Sequence, residues 1–186
     1  MINKRKKFIF VLALFGFSIW VIIGFYKINN EYPQAKKICY SIGEPGNFSE
    51  GIEATILENR WIGQKEFEDM YGKFKDAIDN SKYKFLLVSV KFKNTSVEKR
   101  EVEVYRYYIE CLGYSNGIGL DNYYIFNDIG IAFTLQPGKE VNVTIPYVFF
   151  DTQFKKRDWN NLENKKFYLV NTWYPVKKIW SISREI

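Results

Sequence analysis

The 186-residue chain has no histidine and only two cysteines. The first absence removes the Ser-His-Asp and Cys-His nucleophile systems and the usual histidine-ligated zinc sites. The second removes a zinc site built from cysteine alone, because Cys39 and Cys111 stand 72 positions apart with no other thiol to complete a set. A dinucleotide loop is missing too. Gly117-Ile-Gly119 lacks the third glycine and the following helix such a loop needs, and reads as a plain loop. The chain contains no internal repeat and no low-complexity tract.

Acidic residues are absent from the first 27 positions, which hold five basic ones. The remainder carries 22 basic against 21 acidic residues, a net of +1, so the formal charge of +6 belongs to the N-terminus. A nearly neutral remainder has no net field to attract phosphate, and nucleic-acid binding is not expected.

What the N-terminus does have is a run without charge. Phe8–Tyr26 is 19 residues of almost wholly apolar sequence, directly behind Lys4-Arg5-Lys6-Lys7. As a helix it is roughly 28 Å long, enough for the hydrocarbon core of a bilayer. Only Ser18, Trp20 and Tyr26 carry a polar atom, whereas a soluble core helix would interleave polar residues along one face. The basic cluster predicts that residues 1–7 stay cytoplasmic, 8–26 span the membrane, 27–36 link, and 37–186 form an extracellular domain. No small-x-small pair closes the run, so it reads as an uncleaved signal anchor, with cleavage as the alternative.

Both cysteines then lie outside the cell, where a Cys39–Cys111 disulfide could persist. The alternative is that each is a small buried apolar residue on a strand. Richness in Lys, Ile and Asn points to an AT-rich genome, that of a low-GC Gram-positive bacterium.

The extracellular part is read as strands. Across Lys84–Asn94, Leu86, Val88, Val90 and Phe92 share one apolar face, predicted to point into a core. Glu101–Leu112 reads as the next strand, with Val102, Val104, Tyr108 and Leu112 in phase, and Gly113–Gly119 breaks it. Gln136-Pro137-Gly138-Lys139 predicts a type II turn. Behind it, Val141, Val143, Ile145 and Tyr147 alternate with Asn142, Thr144 and Pro146, and the proline implies a strand end or a sheet edge. Phe167–Tyr174 and Val176–Ile182 are the last strands, while Lys37–Ile42 and Ile52–Trp61 are expected to form a first hairpin. Helical spacing occurs at Phe67, Met70, Tyr71, Phe74 and Ile78, a short helix over one end of the core. Asp151–Asn164 reads as a loop with one helical turn. Short strands separated by turn signals predict a mainly β, antiparallel two-sheet sandwich.

Phe85–Asn94, the Leu135-Gln-Pro-Gly-Lys-Glu140 turn leading to Tyr147-Val-Phe149, and Tyr168-Leu-Val170 through Tyr174-Pro-Val-Lys-Lys-Ile-Trp180 carry a resemblance. Together they resemble the telokin-like, immunoglobulin-like extracellular domains of Firmicutes membrane-anchored proteins and lipoproteins, mostly of unknown function. The likeness spans about Lys37–Ser181. It implies a fold and a surface location and brings no catalytic residues. The chain departs from it in lacking a lipobox cysteine and in the inserted-looking segment Gln64–Ser81.

The remaining chemistry is thin. Ser-x-x-Lys occurs at Ser81/Lys84 and Ser96/Lys99, without the companion motifs of a Ser-Lys hydrolase. Glu66, Glu68 and Asp69 read as the wet face of the helix. Asp121 and Asp128 could hold calcium but lack the spacing of a calcium loop. Tyr114, Tyr123 and Tyr124 are the candidate partner-binding residues if exposed together, since tyrosine is favoured at interfaces. The expected function is therefore non-enzymatic contact with another envelope protein or ligand, with no cofactor and no metal. The alternatives are a carboxylate-based hydrolase acting on wall glycan and a structural or regulatory subunit of a membrane complex.

Overall fold

The computed structural model describes residues 4–74 and 81–182. The chain divides into two units, Met1–Lys36 and Lys37–Ile186.

The described residues of the first unit hold one helix, α1, Lys4–Glu31, 28 residues long and exposed over nearly all of its length. Among the described residues it is the one helix long and apolar enough to cross a membrane. It runs five residues past Tyr26, into what the sequence assigns to a linker. Nothing in Lys27-Ile-Asn-Asn-Glu31 breaks a helix, whereas Pro33 disfavours helical backbone at Tyr32 and stops it there.

The second unit is mainly β. One sheet contains β2 (Gly46–Ser49), β3 (Ile52–Gly63), β4 (Tyr83–Asn94) and β9 (Glu140–Phe150), in that order. The other orders β1 (Lys36–Tyr40), β11 (Val176–Ser181), β10 (Tyr168–Thr172), β6 (Tyr108–Cys111) and β7 (Tyr114–Asn116). A short pair joins β5 (Arg100–Glu103) to β8 (Ala132–Leu135). All pairings with a resolved register are antiparallel.

Both large sheets feed one core. Leu86, Val88, Val90 and Phe92 of β4 are buried as the alternation predicts, beside Val143, Ile145, Tyr147 and Phe149 of β9. Ile109, Leu169 and Trp180 belong to the same cluster from the other sheet. Trp180 Nε1 donates to the Ala54 carbonyl at 3.3 Å, tying β11 to β3 across the core.

The Pro-Gly turn forms as expected. Lys139 N donates to Gln136 O at 3.1 Å and Gly138 sits at φ 70°, the second central position of a type II turn. Pro146 lies in β9 at the sheet edge, where its missing N–H costs no ladder bond. The same edge is capped by Asn127, whose amide donates to Thr144 O at 2.7 Å and accepts from Thr144 N at 2.8 Å.

Three expectations need correction. Lys37–Ile42 and Ile52–Trp61 do not form a hairpin: β1 pairs with β11, and the partner of β3 on that side is β2. Glu101–Leu112 is not one strand. A 3₁₀ turn at Val104–Arg106 separates β5 from β6 and moves the chain to another sheet. The turn shifts the alternation by one, so Tyr107, Ile109 and Cys111 are buried, while Tyr108 and Leu112 are exposed. Gly113–Gly119 is not a plain break, because it holds β7. Asp151–Asn164 contains a short helix, α4 (Lys156–Asn160), between two 3₁₀ turns, with Trp159 and Leu162 buried.

Candidate functional site

On the face of β4 turned away from the main core, Tyr83 and Phe85 are buried. The cause is α2, Gln64–Tyr71, which lays Phe67 flat on Phe85 with ring centroids 4.5 Å apart and 14° between planes. Phe74 adds its ring 5.3 Å from Phe85, after the helix has ended at Gly72 (φ 80°). Ile78, the last residue of the predicted helical stripe, lies outside the described residues. The Tyr83 hydroxyl donates to Glu68 at 3.1 Å; burial first, and then this carboxylate, push its pKa up to about 12.

A further helix, α3 (Leu120–Phe126), lies over β9 and brings Phe126 within 5.2 Å of Tyr71. Between α2 and α3 runs a groove of about 510 Å³, walled by Tyr71, Phe74, Tyr124 and Ile125, with Lys73 and Asp121 also lining it. Phe67 and the buried Asn122 line it as well, and Asn122 Oδ1 meets no donor among the described residues. Tyr71, Tyr124 and Ile125 are exposed, as are Met70 and Leu120 on the same two helices. The arrangement can take an apolar or aromatic group. Among the described residues that line it there is one carboxylate, Asp121, and no serine, threonine or cysteine.

The sequence-predicted tyrosines do not form a shared exposed patch. Tyr124 is 57% exposed at the groove, whereas Tyr123 is fully buried beside it. Burial raises the Tyr123 pKa to about 12. Tyr114 is half-buried, with its ring 5.7 Å from Phe149 and 5.2 Å from Phe154, and burial raises its pKa as well. Tyr123 and Tyr124 are neighbours on a helix, where adjacent positions point about 100° apart. Tyr71 was read from the sequence as a core residue of the helix; it lines the groove because the helix stops at Gly72.

The cysteines are free thiols. In the sheet order, β1 and β6 are three strand spacings apart, or roughly 14 Å. A disulfide spans no more than about 7 Å between Cα atoms, so Cys39 and Cys111 cannot pair in this fold. Cys39 is exposed; Cys111 is buried, and burial raises its pKa to about 11.

Ser96 is a turn residue. Its hydroxyl lies 2.8 Å from Asn94 Oδ1 and 2.9 Å from Glu98 O and donates its one proton between them, inside the hydrogen-bond knot of the β4–β5 connection. Lys84, of the other Ser-x-x-Lys match, pairs with Glu163 at 2.7 Å and lies 5.3 Å from the Trp159 ring centroid. Glu66 pairs with Arg60, as expected of a wet helix face. Among the described residues, no three acidic or cysteine side chains come together as metal ligands do, and this includes Asp121 and Asp128. Glu58 and Glu163 line one cavity of about 330 Å³ at the β3 bulge, but both are exposed.

Set against known proteins, the chain belongs to the DUF5028 family, a domain of unknown function, through residues 26–178. No curated protein matches it. Among solved structures, it is similar to the yjhA protein of Bacillus subtilis, at 11% identity over 77% of this chain and 99% of that one, with a TM-score of 0.46. A candidate lipoprotein of the same species, ycdA, is 14% identical over 75% of this chain and 38% of its own, with a TM-score of 0.46. An uncharacterized β-sandwich protein of Clostridium difficile is 12% identical over 81% of this chain and 98% of its own, with a TM-score of 0.39. Likenesses of this degree carry no functional argument.

Proposed function

We propose that this is a single-pass, membrane-anchored protein whose β domain lies outside the cell and acts by contact, binding another envelope protein or a ligand without turnover. Lys4–Lys7, the first turn of α1, support a cytoplasmic N-terminus. Two antiparallel sheets around one core support reading the domain as a telokin-like, immunoglobulin-like sandwich.

The observation that carries the contact reading is the apolar rim of the α2–α3 groove. Scattered exposed apolar residues are normal, but Tyr71, Tyr124 and Ile125 are exposed around one groove, with Met70 and Leu120 on its two helices. The test is affinity recovery of partners from solubilised membranes, comparing the wild-type chain with Tyr124→Ser and Ile125→Ser. Stability should stay within about 1 kcal/mol, because both are surface changes, and recovery of the partner should fall. Undiminished recovery by both stable variants would contradict the groove.

The rival is a hydrolase using Glu58 and Glu163, which share a cavity. Glu163 is engaged with Lys84, and both carboxylates are wet, which is the wrong environment for a proton-donating acid. Glu58→Gln and Glu163→Gln should therefore change no activity on wall fragments; a loss would favour the enzyme.

A further inference from the structure

The five-stranded sheet turns a second face away from the core. Ile109 and Leu169 pair across β6 and β10 and point inward. Their neighbours Tyr108 and Glu110 stand opposite Val170 and Tyr168, and so lie on the outer face. Val170 and its β11 partner Ile179 are buried there, outside the main core.

Next to them, Trp173 brings its ring to 6.4 Å from that of Tyr108, at 65°. Lys177 Nζ sits 4.4 Å from the Trp173 centroid and donates to Glu110 Oε2 at 2.6 Å. Both rings keep much of their surface free, 42% for Trp173 and 40% for Tyr108, and Tyr174 beside them is also exposed.

We propose that this face is a binding platform for a neutral pyranose glycan, independent of the groove. Sugars present a flat C–H face with hydroxyls at the edge. The exposed Trp173 ring can take such a face, with the Tyr108 ring standing edge-on beside it and the Lys177–Glu110 pair within reach of the hydroxyls. A cation over the Trp173 ring, itself held by Glu110, restrains the indole, so little freedom is lost on binding.

The charges argue against other ligands. A protein interface depletes charge at its centre, whereas Lys177 and Glu110 sit among the rings. An anionic ligand would need a free cation, and Lys177 is already paired with Glu110.

The test uses the full chain in phospholipid nanodiscs. It is titrated with the soluble β-1,4-linked tetramers of N-acetylglucosamine and of glucose, with binding read by calorimetry. At least one tetramer should bind saturably. Trp173→Ala and Tyr108→Ala should each weaken it roughly thirtyfold, the size of a hot-spot truncation. Glu110→Gln should also weaken it, and Tyr124→Ser should leave it unchanged. Far-UV circular dichroism checks that each variant is folded, and Tyr108→Ala decides the matter if Trp173→Ala is not. Failure of both tetramers to bind would overturn the proposal. So would undiminished binding by the folded ring variants.

Discussion

Asn94 is fully buried, and its side chain is hydrogen-bonded at both ends. Its Nδ2 donates to Glu98 O at 2.7 Å and Leu135 O at 2.9 Å, while Oδ1 accepts from Ser96 N at 2.9 Å and Ser96 Oγ at 2.8 Å. This one amide ties the end of β4 to the turn after it and to the end of β8. Asn94→Ala would strand several buried groups at once and should cost about 3 kcal/mol in chemical denaturation. The thiols make a second test at this scale. An aromatic disulfide reagent at neutral pH should titrate Cys39 alone in the folded protein, and both thiols in denaturant. Burial keeps Cys111 both inaccessible and protonated, with its pKa near 11. No reactive thiol in denaturant without reductant would mean that the two are bonded after all.

At the scale of elements, legibility followed how local the cause was. The buried face of β4, the type II turn at Pro137-Gly138 and the edge position of Pro146 are set by neighbours in sequence, and pattern alone located them. The opposite face of β4 was not legible. Phe85 is followed by Leu87, Ser89, Lys91 and Lys93, so the alternation reads as wet, and only α2 from an earlier segment dries its first end. The turn at Val104–Arg106 was hidden because Val102 and Val104 are both buried, in phase with a continuing strand. The groove inherits this difficulty, since it exists only where α2 and α3 meet over β4 and β9. Two substitutions separate the two cores. Val88→Asp places an unpaired carboxylate in the main core and should abolish the cooperative unfolding transition. Phe67→Ala removes the ring that docks α2 and should lower stability by about 3 kcal/mol while leaving a cooperative transition.

The whole molecule joins a basic-flanked apolar helix to a nearly neutral β domain. In the proposed reading the first sets location and the second offers surfaces for contact, so every proposed contact depends on which side of the membrane the domain occupies. The direct measurement is protease accessibility on intact, wall-stripped cells, followed with antibodies to each end of the chain. The domain beyond Glu31 should be digested without lysis, while a tag before Lys4 should survive until the membrane is opened. Protection of the domain in sealed cells, with digestion only after lysis, would contradict the account.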